Sequence, residues 1–365
     1  MVIKKIVLIF LFFICTEFLF GNEIFFKAIS KGDLPEVKRL IEEEGENPNL
    51  LDEKGNNPLL ISVKNGKYPI FEYLLPLTYN IDIVDEEEKS IVYYLIHSEK
   101  WEELEKFLTY KPNLEIKDSK NISPIGSCIL QKSLDCVKTL HKSGASLRSF
   151  QTFQYYPLSI FAYINKQNQI LEYLLKSEFD MDMMDSEGNT LLHKIVQAND
   201  IQSLSLIPEF KLNIEQESSK GETPYFFALE KKYYSIAEKL LELGADPFRI
   251  TGSGRNVIHY YAPVNKPKVL KKFLTGIDKI NQVDRDGFTP LGYSILANNK
   301  ENTKILLENR ADPNVKQGNR EYPIGIALEN LNLEIIKSLI EKKADPNVKT
   351  KNGKPLTLKA FELKR

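Results

Sequence analysis

Asp284-Arg285-Asp286-Gly287-Phe288-Thr289-Pro290-Leu291 decides the fold, because its proline recurs along the chain at a fixed spacing. Prolines in similar Thr/Ser-Pro-Leu-like settings stand at Pro58, Pro124, Pro157, Pro224, Pro323 and Pro355, and Ile91, Leu191 and Val257 fill the remaining places. Successive marks lie 33 residues apart, with a step of 34 between Pro157 and Leu191 and one of 32 between Pro323 and Pro355. Such a period means an array of small stacked units and not one globular core. Thr before Pro can cap a helix, and Pro fits the first turn, where its missing N–H costs nothing. Asp-Gly suits a tight turn ahead of it. Between the marks, Ile236, Ala237, Leu240 and Leu241 form one stripe at helical spacing, and Ile335, Ile336, Leu339 and Ile340 form another.

These units resemble ankyrin repeats. The opening D-x-x-G-x-T-P-L of that family is matched at 284–291 and again by Asp185-Ser186-Glu187-Gly188-Asn189-Thr190-Leu191-Leu192-His193. The closing G-A-D-x-N is matched by Gly244-Ala245-Asp246-Pro247, Ala311-Asp312-Pro313-Asn314 and Ala344-Asp345-Pro346-Asn347. The resemblance implies an all-α solenoid of helix-turn-helix units with short β-turn fingers, in which neighbours together bury a core that no single unit can bury. It covers about residues 24–363. We read an N-terminal half unit over 24–51 with helices near 24–31 and 34–43, nine repeats over 52–348, and a C-terminal partial unit over 349–365. The extra residue of the 34-residue step is expected in the turn around 166–168, by alignment of the second helices.

Residues 1–21 stand outside the repeat. Lys4 and Lys5 precede an apolar run over 6–15, which Phe18 to Phe20 extend past Thr16-Glu17. A basic start and a short apolar core read as a secretory signal, removed after about residue 21. The alternatives are a retained membrane anchor or a lipidated Cys15; the run is short for a bilayer span. Export to the periplasm or cell envelope is the expectation, with secretion as an alternative. Lys-, Ile- and Asn-rich usage hints at an AT-rich bacterial genome. The formal charge is −1, from 49 basic and 50 acidic residues, so nothing favours wholesale attraction to nucleic acid or an anionic membrane.

Chemistry is not legible. His193 and His259 occupy the last place of the T-P-L-H element, where the resemblance implies hydrogen bonds between adjacent repeats. His97, near the end of a first helix, and His141, late in a second, are isolated, without metal-ligand spacing. Thr251-Gly252-Ser253-Gly254-Arg255 lacks the Lys-Ser/Thr of a phosphate loop and reads as the finger of repeat seven, its glycines serving a tight turn. No enzyme, metal, cofactor or small-molecule substrate is expected. Cys128 and Cys136 fall on core-facing places of one repeat, and buried free thiols are expected there, although an exported context permits a disulfide.

The resemblance implies a protein partner on the concave face formed by fingers and first helices. Repeat four departs most from the pattern, with a finger reading Phe150-Gln151-Thr152-Phe153-Gln154-Tyr155-Tyr156. Phe153 and Tyr155 stand where variable, exposed residues are usual, and Tyr163 and Ile164 take the variable places at the end of the first helix. Aromatics on a solvent-facing finger suit an interface anchor. They could instead pack on Phe161, Leu147 or a neighbouring finger. Phe288, with Tyr293 and Leu296, is a second candidate, with a core place as the alternative for Leu296. The alternative roles are a structural or self-associating envelope protein, or a secreted host-interacting effector.

Overall fold

The computed structural model describes residues 23–177, 183–275 and 279–363, and it is built almost wholly from short helices in antiparallel pairs. The basic start, the apolar run and Cys15 lie outside the described residues. The chain divides into two units, Met1–Ser186 and Glu187–Arg365, the division falling in the finger of repeat five.

In the first unit, an N-terminal pair (23–31 and Leu34–Glu42) precedes repeats one to four. Their first helices are Pro58–Lys64, Ile91–His97, Pro124–Leu130 and Leu158–Ile164; their second helices are Tyr68–Leu74, Trp101–Leu108, Leu134–Lys142 and Asn168–Lys176. Asn57, Ser90 and Ser123 each accept a hydrogen bond from a first-turn N–H, and Pro58 and Pro124 occupy that turn. The apolar stripes meet between helices, leaving Leu59, Leu95, Phe107, Ile129 and Leu140 with no more than 1% exposure. Successive fingers are tied by backbone bonds, Ser119 N–H to the Glu87 carbonyl (3.2 Å) and Thr152 N–H to that of Asn121 (3.0 Å).

In the second unit, repeat five has a second helix broken into a 3-10 turn (Gln202–Ser205) and a short helix (Leu206–Phe210). Repeats six to nine follow the regular plan, with second helices Tyr234–Glu242, Pro267–Leu274, Lys300–Glu308 and Leu333–Glu341, and Leu356–Leu363 closes the unit. The first helix of repeat seven (Val257–Tyr261) stops two residues before Pro263, which has no N–H to continue the helical hydrogen-bond ladder. The buried Asn302 amide donates to the carbonyls of Tyr261, Ala262 and Val264 there (3.0, 3.1 and 2.7 Å). Ile236, Ala237, Leu240, Ile335 and Leu339 are buried as the stripes predict, whereas Ile340 is 52% exposed and Ile336 half-buried. Among the described residues no further second helix stands beside them.

A polar ladder runs along the loops that follow the second helices. In each case a side-chain oxygen accepts from a backbone N–H about one repeat further on: Asn49 from Tyr79 (2.8 Å), Asp82 from Asn113 (2.7 Å) and Glu115 from Ser146 (2.8 Å) in the first unit. Glu215 accepts from Asp246, Asn281 from Asp312 and Asn314 from Asp345 (each 2.8 Å) in the second. Histidines make a second kind of link. His193 shares a capping box with Thr190, and its Nε2 donates to the Glu222 carbonyl (2.9 Å). His259 does the same with Asn256 and the Gln282 carbonyl (3.0 Å).

Three repeats carry glycine in the place of that histidine; at Gly325 the Glu321 carboxylate of the same repeat lies against it, and Gly126 and Gly292 share a second arrangement. The space is filled from the next finger, where glutamine replaces aspartate. Gln151 Oε1 accepts from Ser123 N–H (2.8 Å), and its Nε2 donates to Ser123 and Ser149 Oγ (both 2.9 Å). Gln317 Oε1 likewise accepts from Thr289 N–H (2.9 Å). A methyl group on Gly126 or Gly292 would lie 2.1 or 2.0 Å from the amide oxygen.

Two expectations are corrected. Cys128 and Cys136 are buried, at 0% and 3% exposure, but they are joined in a disulfide, with Cα atoms 5.6 Å apart across the facing helices of repeat three. The extra residue of repeat four is not in the turn over 166–168, since three residues link its helices, as three do between Leu130 and Leu134. It lies in the finger. Pro157 is pulled into a strand there and precedes the helix, which starts at Leu158. Of the two glycines of the repeat-seven finger, Gly254 makes the turn with φ +80, while Gly252 permits close approach, a methyl there falling 2.0 Å from the Lys220 carbonyl oxygen.

Candidate protein-docking site

The lengthened finger of repeat four is a β-hairpin, a form unlike its neighbours. Phe150–Gln151 pairs antiparallel with Tyr156–Pro157, placing Phe150 opposite Pro157 and Gln151 opposite Tyr156. In the other fingers a single left-handed residue makes the turn, such as Gly55, Glu88 or Asn121; here Thr152 (φ 60) and Tyr155 (φ 52) both adopt that backbone. Neither is glycine, so the turn is held by its surroundings. Gln151 anchors its base as described, Lys117 Nζ donates to the Phe150 carbonyl (2.6 Å), and Asn121 Nδ2 donates to the Thr152 carbonyl (2.7 Å).

That anchored hairpin leaves two rings in solvent. Phe153 is 69% exposed and Tyr155 53% exposed; the Tyr155 ring meets that of Phe150 edge to face, with ring centres 6.5 Å apart. The helix Leu158–Ile164 packs on both strands and carries Ile164 at its end, 42% exposed. Because the extra residue precedes this helix, Ile164 and not Tyr163 matches Leu130 of repeat three, which is 41% exposed. Tyr163 falls one place earlier and is half-buried, as part of the helix flank. Phe153, Tyr155, Ile164 and Leu130 thus share repeats three and four.

Phe288 lies in the second unit and is half-buried. Its ring centre is 5.4 Å from that of Tyr293, and its N–H donates to Asp284 (2.9 Å). Tyr293 O–H donates to the buried Asp284 carboxylate (2.7 Å), to which Arg255 Nε also donates (2.9 Å). Burial pushes the Asp284 carboxyl up, but these donors outweigh it and hold it below its usual range. Phe288 is therefore part of a structural cluster. Leu296, by contrast, is 44% exposed and not core. The same cluster recurs in the first unit, where Tyr94 and Lys64 donate to Asp85 and hold its carboxyl down to about 2 against the effect of burial. Its signal in the sequence is an Asp followed nine residues on by a Tyr.

Among the described residues no three His, Cys, Asp or Glu side chains converge as metal ligands, and no helix is long and apolar enough to cross a membrane.

A family model for ankyrin repeats (three copies) matches residues 4–87, 158–251 and 258–350. A putative ankyrin repeat protein of Acanthamoeba polyphaga mimivirus is 24% identical over 161 residues, covering 42% of this chain and 21% of that protein. The mouse NF-kappa-B inhibitor delta is 33% identical over 121 residues, covering 32% of this chain and 37% of the relative. A putative ankyrin repeat protein of Rickettsia felis is 26% identical over 199 residues, covering 53% and 51%. The chain spans less than two thirds of the length of each of these relatives.

Proposed function

The chain belongs to the ankyrin-repeat family, a protein–protein interaction module, and on that premise we propose that it is a non-enzymatic scaffold which holds a protein partner against the finger and first-helix surface of repeats three and four. One observation carries the proposal: an anchored hairpin, one residue longer than its neighbours, presents Phe153 and Tyr155 to solvent. Exposing two aromatic rings has no value to an isolated stack, whereas rings that become buried on contact are the usual anchors of an interface. Ile164 and Leu130 extend the apolar surface; Tyr163 supports it from the flank.

The scaffold works outside the bacterial cytoplasm, in the envelope or beyond it. The basic start followed by an apolar run supports export. The Cys128–Cys136 disulfide supports it independently, because such bonds persist in oxidising compartments and are rare in the cytosol. Cell fractionation followed by mass measurement of the native protein tests the location. A full-length cytoplasmic species refutes it, and a lipid on Cys15 replaces a free mature protein with an anchored one.

The docking reading is tested by comparing what envelope extract deposits on the parent and on a Phe153→Ala/Tyr155→Ala variant, with far-UV circular dichroism as the folding control. Buried aromatic anchors contribute about 2 kcal/mol or more, roughly thirtyfold in affinity. The variant should lose its partner and keep its helix content. Lys239→Ala, on an exposed second-helix face, should bind as the parent does. Equal binding by the double variant places the recognition surface elsewhere.

A further inference from the structure

The charges around the aromatic finger indicate what kind of partner it takes. The chain carries 50 acidic residues, yet none lies between residues 136 and 171, the whole span from the second helix of repeat three into that of repeat four. Lys138, Lys142, Arg148 and Lys166 fall in the same span, and Lys120 and Lys132 just before it. Lys120, Lys132, Lys142 and Lys166 are exposed and form no ion pair among the described residues. Elsewhere in the unit some exposed lysines are paired, as Lys54 is with Glu86 and Lys106 with Glu72, and others, such as Lys31 and Lys111, stand well apart from the aromatic finger in sequence.

Position makes three of these lysines relevant. Lys120 sits on the finger next to the hairpin, the finger whose Asn121 is bonded to Thr152. Lys132 and Lys166 each stand two residues past an exposed apolar side chain, Leu130 and Ile164. Apolar groups and cations therefore stand together at both ends of this surface, Phe153 and Tyr155 with Lys120 on the fingers, Leu130 and Ile164 with Lys132 and Lys166 at the ends of the first helices. The preceding finger carries Glu86, Glu87 and the exposed Glu88, of which Glu86 and Glu87 pair with Lys54 and Lys89. Asp118 is buried and engaged by the N–H groups of Lys120 and Ile122, Glu115 by Ser146 N–H, and Asp135 starts a second helix.

We propose that the docking surface of repeats three and four, formed by Phe153, Tyr155, Leu130 and Ile164 together with Lys120, Lys132 and Lys166, takes an acidic protein segment whose carboxylates flank aromatic or aliphatic anchors. This rests on the docking reading above and adds the chemistry of the partner. Opposite charges steer encounter and exclude basic competitors, while the buried anchors provide most of the affinity.

A random peptide library displayed on phage, selected on the full chain and counter-selected on the Phe153→Ala/Tyr155→Ala variant, tests it. Recovered sequences should place Asp or Glu on both sides of Phe, Trp, Tyr or Leu. A synthetic peptide of the recovered consensus should bind the Lys120→Glu/Lys132→Glu/Lys166→Glu variant at least about tenfold more weakly than the parent, with affinity falling as salt rises. Those lysines are exposed, so the variant should keep its helical spectrum. Finger-dependent sequences that are neutral or basic overturn the acidic partner and leave the docking reading standing. Absence of any finger-dependent sequence overturns both. Finger-dependent binding of a fluorescent oligothymidylate overturns the proposal in favour of a nucleic acid.

Discussion

Removal of the Gln151 side chain should destabilise the first unit far more than its place on a finger suggests. Gln151 is fully buried, and its amide oxygen is the acceptor for Ser123 N–H in the cap of the preceding repeat. Gln151→Ala leaves that donor orphaned, at about 1–3 kcal/mol, and opens a void that Gly126 cannot fill. We expect a loss of roughly 2–4 kcal/mol. Gly126→Ala alone should also destabilise, since its methyl would stand 2.1 Å from the amide oxygen, by about 1–3 kcal/mol less some gain in helix propensity. In the double variant the clash is gone, and the methyl occupies part of the void. The two changes should therefore be non-additive by about 1 kcal/mol or more, in the direction of rescue. Urea unfolding followed by circular dichroism on the parent, both single variants and the double variant gives the cycle. Additivity within about 0.5 kcal/mol would refute the idea that glutamine and glycine share one space. The Gly292/Gln317 pair offers a replicate in the second unit.

Leu240, fully buried in the second helix of repeat six, should cost about 2–5 kcal/mol on change to alanine; a loss under about 0.5 kcal/mol in denaturant titration would show the register there to be wrong. Burial pushes the His259 imidazole down to about 4 from its usual value near 6.5, so the folded state resists a proton that the unfolded chain accepts. Its contribution is whole above pH 6.5 and is lost as pH falls toward 4, on the order of 3 kcal/mol. His259→Gln should flatten the stability profile in that window, and an unchanged profile would exclude His259 as its source. Protein denatured without reductant should leave Cys128 and Cys136 unalkylated, and the Cys128→Ser/Cys136→Ser variant should lose about 2–3 kcal/mol. Alkylation of both thiols in mature protein would remove the disulfide from the argument for export.

The period alone was enough to read the helix pairs, because a mark every 33 residues leaves room for little else, and T-P-L-H placed His193 and His259 at their inter-repeat carbonyls. Three features escaped, each for a physical reason. A sliding residue is invisible when the flanking segments are alike, so proline anchoring put the surplus of repeat four after Pro157, where strand pairing in fact takes it up before the helix. Gly126 and Gln151 look in sequence like two separate losses from a motif; only the structure shows that one fills the gap left by the other. Cysteine pairing depends on the distance between two backbones, which spacing does not give. At the candidate site, Phe153, Tyr155 and Ile164 were correctly placed in solvent, while Tyr163 and Phe288 turned out to be half-covered by their own repeats.

The ladder along the second-helix loops has a direction. Asn49, Asp82 and Glu115, and in the second unit Glu215, Asn281 and Asn314, are all acceptors for a backbone that comes later in the chain. A polypeptide made from its N-terminus therefore presents each side-chain hook before the amide that it will catch. At these six junctions the earlier loop holds an acceptor ready for the repeat that follows. Assembly can keep pace with synthesis, one unit at a time, without waiting for the distant end of the chain.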